Sequence, residues 1–233
     1  MKRLLAAVAV LVVGATSFAS SGKFGLDFSW GVNVGFQNMN VSQDGVEGKM
    51  TRTDMAFPIV RVSSYNFFLL DNMLGLFASV NLSPGLQFGD KMGDMEGGGF
   101  MGSISDAFLG IEFMIGPSFG IDINENLRFQ TGLGFHYLFG KSLIEGVATM
   151  AGGEDVPSLS LHSFGIALTP QLRFSPAKKA SFILGCDLLF DFGRSGDVLL
   201  FDNDGDGRHI PADAMEGYFR FGFSPYIGVG INF

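Results

Sequence analysis

Apolar and polar residues alternate with a period of two along most of the chain. From Phe24, the residues Phe24, Leu26, Phe28, Trp30, Val32, Val34 and Phe36 fall on one face. Gly25, Asp27, Ser29, Gly31, Asn33, Gly35 and Gln37 fall on the other. That period belongs to a β-strand with one apolar face and one polar or minimal face. At about 14 residues the segment outruns the usual 5–6. Its length suits a tilted membrane crossing, which takes about 9–11 residues in hydrocarbon.

The pattern recurs. Leu74, Leu76, Ala78, Val80, Leu82, Leu86 and Phe88 oppose Gly75, Ser79, Asn81, Ser83 and Gln87. Leu109, Ile111, Phe113 and Ile115 oppose Gly110, Glu112, Gly116 and Ser118. Leu127, Phe129, Leu133, Phe135 and Tyr137 oppose Arg128, Gln130, Gly132, Gly134 and His136. Similar strands are read around Phe164–Phe174, Phe182–Phe192 and Phe219–Phe233. A less regular one lies near Met55–Asn66, where Val60 and Val62 alternate with Ile59, Arg61 and Ser63. The total is eight. Short polar turns are expected at Asp71-Asn72, Asp122 to Asn126 and Ser175 to Lys179. Long Gly-rich, acidic loops are expected at about 38–54, 89–105, 141–160 and 194–217. An even strand count, with short turns on one side and long loops on the other, is the signature of an outer-membrane barrel. In lipid every backbone polar group must be paired, and for strands only closure achieves that. The fold class is therefore all-β, an eight-stranded antiparallel up-and-down transmembrane barrel.

Composition agrees. The 233 residues are 47% hydrophobic and only 16% charged, with 34 Gly and 26 Phe. Mean hydropathy is +0.31, yet beyond the N-terminus no apolar run is long enough for a spanning helix. Residues 1–19 read as a signal peptide. Lys2 and Arg3 precede the apolar run Leu4–Val13, and Ser17-Phe18-Ala19 puts small residues at the cleavage positions. Its removal, with Lys2 and Arg3, leaves 13 basic against 23 acidic residues, a net charge of −10. That balance argues against nucleic acid as a partner, and one Cys excludes a disulfide scaffold.

The last residue, Phe233, ends an alternating aromatic strand. Here the chain resembles the small eight-stranded bacterial outer-membrane barrels of the OmpX, OmpA transmembrane-domain and OmpW types. The resemblance covers residues 20–233 as architecture. It implies an outer-membrane location, contact with outer-membrane lipid, and a C-terminal signal for the barrel assembly machinery at Tyr226, Ile227, Val229, Ile231 and Phe233.

The inward face carries Asp27, Glu112, Asp187 and Asp191 with Arg61, Arg128, Arg173 and Arg220. Four acids against four arginines match a packed ion-pair network, because an unpaired buried charge would cost several kcal/mol. The alternative is a narrow, ion-conducting lumen, with the inward glycines leaving space for water. Eight strands enclose only enough room for side chains, so a wide porin channel is excluded. Two functions follow: a structural or narrow-pore barrel passing small solutes, or a surface adhesin whose loops meet extracellular ligands.

One loop motif points to a cofactor. In Asp202-Asn203-Asp204-Gly205-Asp206-Gly207, carboxylates at positions 1, 3 and 5 precede a Gly at 6, as in a calcium loop, with Asp213 at position 12. The match is partial, since Ile210 is displaced from the expected apolar position and no helices flank the loop. The other reading is a hydrated acidic turn. No other cofactor is expected. The three histidines, His136, His162 and His209, form no Ser/His/Asp spacing, so no enzyme activity is expected. Cys186 alternates with apolar residues and reads as a small apolar side chain. Tyr65, Phe67, Phe139, Tyr218 and Phe219 are candidates for the interfacial aromatic girdles.

Overall fold

A computed structural model describes residues 23–43, 46–92, 104–142, 160–177, 179–195, 198–201, 207–210 and 215–233. Its strands are β1 (Lys23–Gln43), β2 (Val46–Leu69), β3 (Leu74–Met92), β4 (Ile104–Asp122), β5 (Leu127–Ser142), β6 (Ser160–Leu168), β7 (Gln171–Ala177), β8 (Ala180–Ser195), β9 (Val198–Phe201), β10 (Gly207–Ile210) and β11 (Met215–Asn232). Each barrel strand pairs antiparallel with its neighbours, and β11 pairs with both β8 and β1. The sheet is closed, with no free edge. At the seam the Phe233 amide donates to the Phe24 carbonyl at 3.0 Å, and the two rings lie 5.3 Å apart.

Eight strands form the wall because β6 and β7 are one strand interrupted at Thr169-Pro170. Pro170 has no N–H to give the ladder. Thr169 keeps its amide bond to Gly132, and the Pro170 carbonyl accepts from Cys186, so the pairing survives. The inward parity also runs unbroken through Ser163, Gly165, Ala167, Thr169, Gln171 and Arg173.

β2 does break phase. Asp54 and Ala56 point inward, then Ile59, Arg61 and Ser63 do, with Phe57-Pro58 between them on the outer surface. The ladder to β3 slips between Ala56 and Val60. The extra residue is a bulge at a proline, the usual tolerated place for proline in a sheet. This explains why the alternation of this strand is the least regular in the sequence.

The short turns lie at one end. At Ile123–Asn126 the Asn124 side chain accepts from the amides of Asn126 and Leu127, both at 2.9 Å, closing the turn locally. At the other end the expected first loop, 38–54, is largely strand: β1 and β2 stay paired up to Gln43↔Val46. Likewise part of 194–217 forms the β9–β10 hairpin.

The burial pattern is inverted relative to a water-soluble protein. Trp30, Phe135, Phe182 and Ile227 are more than half exposed, while Asp27, Asp187, Asp191 and Arg220 are almost completely enclosed. On β1 the outward apolar positions run from Leu26 to Phe36 and then give way to Asn38 and Asn40. The ten rises between them at about 3.4 Å each, tilted about 40°, make a belt about 26 Å tall, against an apolar band of about 25 Å in outer-membrane barrels.

Candidate functional site: the filled lumen

Inward side chains cross the lumen in stacked layers. Nearest the short turns, the Asp27 carboxylate accepts from Arg173 Nη1 at 2.6 Å and from Gln171 Nε2 at 3.1 Å. Arg173 Nε donates to Ser181 Oγ and Asn232 Oδ1. The Tyr226 hydroxyl donates to Gln171 Oε1 at 3.0 Å.

Above this, Arg61 Nε donates to Asp187 Oδ2 at 3.0 Å, its Nη1 donates to Ser63, and its guanidinium lies 4.3 Å over the Tyr226 ring. Tyr65, hydrogen-bonded to Thr169 Oγ1 at 2.8 Å, packs on Phe77. Together with Phe67, Met114, Ala167 and Leu189 they make an apolar cluster inside the barrel.

The upper layer is built on Arg220. Its Nη2 donates to Asp54 Oδ2 at 2.9 Å and its Nη1 to Asp191 Oδ2 at 3.2 Å. Asp54 also accepts from Gln37, and Asp191 shares a 2.6 Å hydrogen bond with His136 Nδ1. Glu112 accepts from the amides of Asn81 at 2.9 Å and Asn33 at 3.3 Å. Higher still, Ser163 bonds the Tyr218 hydroxyl and Arg194 lies 5.6 Å from the Tyr218 ring.

The expected inward charges Asp27, Arg61, Glu112, Arg173, Asp187, Asp191 and Arg220 are all placed in these layers, but the pairing differs from a one-to-one match of acid with arginine. Glu112 is held by two asparagine amides, which can satisfy a carboxylate's lone pairs without carrying charge. Arg128 is not part of the layers. It sits at the short-turn mouth, with Nη1 on Asp122 at 2.7 Å, Nη2 on the Asn72 carbonyl and its guanidinium 4.3 Å over the Phe67 ring. Arg220 takes a partner that the periodicity does not reveal: Asp54 falls at the end of the segment 38–54, which the sequence pattern makes a loop. Pro58 within an apolar-alternating segment was the available signal, because a bulge there flips the face of everything before it.

The space beside three inward glycines is occupied by neighbouring side chains. A Cβ on Gly132 would stand 2.3 Å from the Phe77 ring, one on Gly185 2.4 Å from the Tyr226 ring, and one on Gly35 2.5 Å from the Asp54 carboxylate. Each of these three glycines is the recess into which a larger neighbour packs.

The aromatic girdle also changes. Tyr65, Phe67 and Tyr218 are buried inside the barrel rather than at its outer surface. At the loop end the outer surface instead carries Tyr137, whose hydroxyl bonds His162 Nδ1, with the Phe139 ring 5.0 Å from the imidazole. Phe219 is exposed as expected. In the last strand Tyr226 points inward, and Ile227, Val229, Ile231 and Phe233 are exposed on the outer face. The aspartates of the acidic loop, Asp202, Asp204, Asp206 and Asp213, lie outside the described residues; their flanks Phe201 and Gly207 pair across β9 and β10.

Among solved structures, OprG from Pseudomonas aeruginosa is similar with a TM-score of 0.56 and 13% identity, covering 91% of this chain and 96% of that one. The chain has the fold of a small outer-membrane β-barrel. Weaker likenesses include Ail of Yersinia pestis, solved with a heparin analogue (TM-score 0.38, 13% identity, 91% of this chain and 99% of that one). Another is the outer membrane protease OmpT of Escherichia coli (TM-score 0.41, 9% identity, 91% and 97%). Neither a family model nor a curated protein matches the sequence.

Proposed function

We propose that the protein is an integral outer-membrane barrel of structural character whose lumen is closed by its own side chains. The observation that carries this reading is the unbroken stack of layers on Arg173, Arg61 and Arg220, with Tyr65, Phe77 and Met114 packed between them. A conducting path would require moving a buried arginine off its carboxylate, which costs several kcal/mol. The apolar belt supplies contact with outer-membrane lipid, and the exposed Ile227, Val229, Ile231 and Phe233 supply the signal for the barrel assembly machinery. The test is conductance of the refolded protein in planar bilayers, alongside fractionation and heat-modifiable gel mobility. Heat-modifiable protein in the outer membrane with no sustained openings is expected. A steady single-channel current would overturn the closed-lumen reading.

A second reading, an adhesin or ligand-binding barrel, is favoured by the β1–β2 hairpin. Beyond Phe36, seven more residues of β1 continue to Gln43, about 24 Å along the strand. Their outward positions include Asn38 and Asn40, and Lys49 is exposed across the ladder, so this part stands clear of lipid. Replacing 38–52 by a tight turn should leave gel mobility intact while reducing adhesion of expressing cells to epithelial monolayers. Unchanged adhesion would remove this reading.

A further inference from the structure

Two of the short turns carry apolar shoulders. Leu69, Leu74 and Phe119 form one register row at the feet of β2, β3 and β4, and all three are exposed. Beyond that row the apolar surface continues through Leu70, Met73, Ile121 and Ile123, also exposed. The tips, Asp71-Asn72 and Asn124 to Asn126, are polar. Leu70 is 69% exposed and has a φ of 50°, the left-handed region that Gly or Asn occupies with less strain. An apolar side chain that is both strained and exposed points to a surface that covers it. The two turns are tied into one piece. The Gly120 amide donates to the Met73 carbonyl at 2.7 Å, and Arg128 bridges the Asp122 carboxylate and the Asn72 carbonyl. The third short turn, with Ser175, Pro176, Ala177 and Lys179, has no such shoulder.

The ladder sets the height of this surface. Followed once round the barrel from Leu26, it returns to β1 at Phe36, ten residues higher, a climb of about 3 Å per strand. On that spiral Leu109 comes level with Phe36 at the loop end. From Leu109 to Ile123 every outward position of β4 and its turn is apolar, about 36 Å at the same tilt. A band of about 25 Å leaves about 11 Å over, all of it at the turn end. An apolar surface taller than the hydrocarbon is met by local thickening of the bilayer or by tilt. We propose that the β2–β3 and β4–β5 turns anchor this flank of the barrel in the inner leaflet of the outer membrane. Leu69, Leu70, Met73, Ile121 and Ile123 lie among phospholipid chains, and the polar tips lie among the headgroups. The inference rests on the membrane-barrel reading. Phospholipid is the occupant because the shoulders continue the lipid-facing belt without a polar break. The polar tips agree, since a protein socket would take an apolar tip.

The test places spin labels at single cysteines in a Cys186→Ser background, in protein refolded into phosphatidylcholine vesicles. Leu70→Cys and Ile123→Cys probe the shoulders, Phe182→Cys the belt, and Lys179→Cys the third turn. Collision with oxygen reports lipid, and collision with a water-soluble nickel chelate on both sides of the membrane reports water. Positions 70 and 123 should meet nickel several-fold less often than position 179, with oxygen contact close to that at 182. Nickel contact at 70 and 123 equal to that at 179, with 182 in lipid, would overturn this inference and leave the membrane-barrel reading standing. Nickel contact at 182 as well would overturn both. A second measurement varies bilayer thickness, with acyl chains of about 14 to 20 carbons. Leu70→Asn/Ile123→Asn suits both turns, so folding is not at stake, and heat-modifiable mobility checks it. The chain length that gives the highest urea midpoint should be shorter for this variant than for the unaltered protein. Shielded shoulders with an unchanged optimum would assign their cover to a second copy of the chain and overturn the proposal.

Discussion

Breaking the middle layer at Arg61 and Asp187 measures how far the interior is a dry, interlocked solid. Both side chains are 1% exposed, so removing one strands the other where water does not reach. Loss of one partner of a buried pair costs about 3–5 kcal/mol. Arg61→Met falls at the upper end of that range. It also removes the bond to Ser63 and the guanidinium over Tyr226, the latter worth about 0.5–2 kcal/mol. Asp187→Leu leaves Arg61 with those two contacts and should cost nearer the lower end. The pair Arg61→Met/Asp187→Leu buries no stranded charge, so its cost should fall well below the sum of the singles. A coupling energy of at least about 2 kcal/mol is expected, within the range for residues that share a network. Urea unfolding from phospholipid vesicles, followed by gel mobility, gives all four corners of the cycle. Additive singles, or a single costing under about 1 kcal/mol, would show that water or another group compensates the charge and that the lumen is not closed as described.

Three further outcomes follow from other parts of the barrel. Gly132→Ala places a methyl 2.3 Å from the Phe77 ring and should destabilise by about 1–3 kcal/mol as overpacking; Phe77→Leu in that background should restore part of the loss, and additivity of the two would refute the recess argument. Trp30, the single tryptophan, is 52% exposed within the apolar belt; brominated lipid acyl chains should quench its fluorescence, and unchanged emission would contradict the assigned outward face. Calcium titrated into the protein should release heat that Asp204→Ala abolishes, as the spacing of the acidic loop predicts; equal heats would remove the calcium site.

The wall of the barrel was legible because one physical requirement fixes every other residue. A strand with lipid on one side must alternate, and a one-residue slip would turn its whole apolar set inward. That is why Leu109 to Ile115 or Phe182 to Phe192 could be assigned from sequence, and why strand count and short turns followed. The requirement ends where the lipid ends. Beyond Phe36 the outward positions of β1 become Asn38 and Asn40 while Met39 turns inward, and a strand whose apolar and polar faces exchange breaks the pattern and looks like a loop. Asp54 was hidden for another reason: it lies opposite Gly35, inside the belt, and the bulge at Phe57-Pro58 breaks the alternation that would have placed it on a strand.

The interior obeys a weaker rule, which explains why its membership was legible and its pairing was not. Alternation states that Arg61 and Asp187 point inward; it carries nothing about which side chains meet across the axis. Arg61 and Asp187 are 126 positions apart, and Arg220 and Asp54 are 166 apart. Their contacts depend on strand tilt and stagger accumulated around the closed sheet. Counting acids against arginines tests only neutrality, and amides are free to break that symmetry, as Asn33 and Asn81 do at Glu112. The glycines were ambiguous for a related reason. An absent side chain marks volume, and only the neighbour's position shows what occupies it. At Gly132 and Gly185 the occupants are the rings of Phe77 and Tyr226, so two residues that suggested space for water from sequence are recesses filled by aromatic side chains.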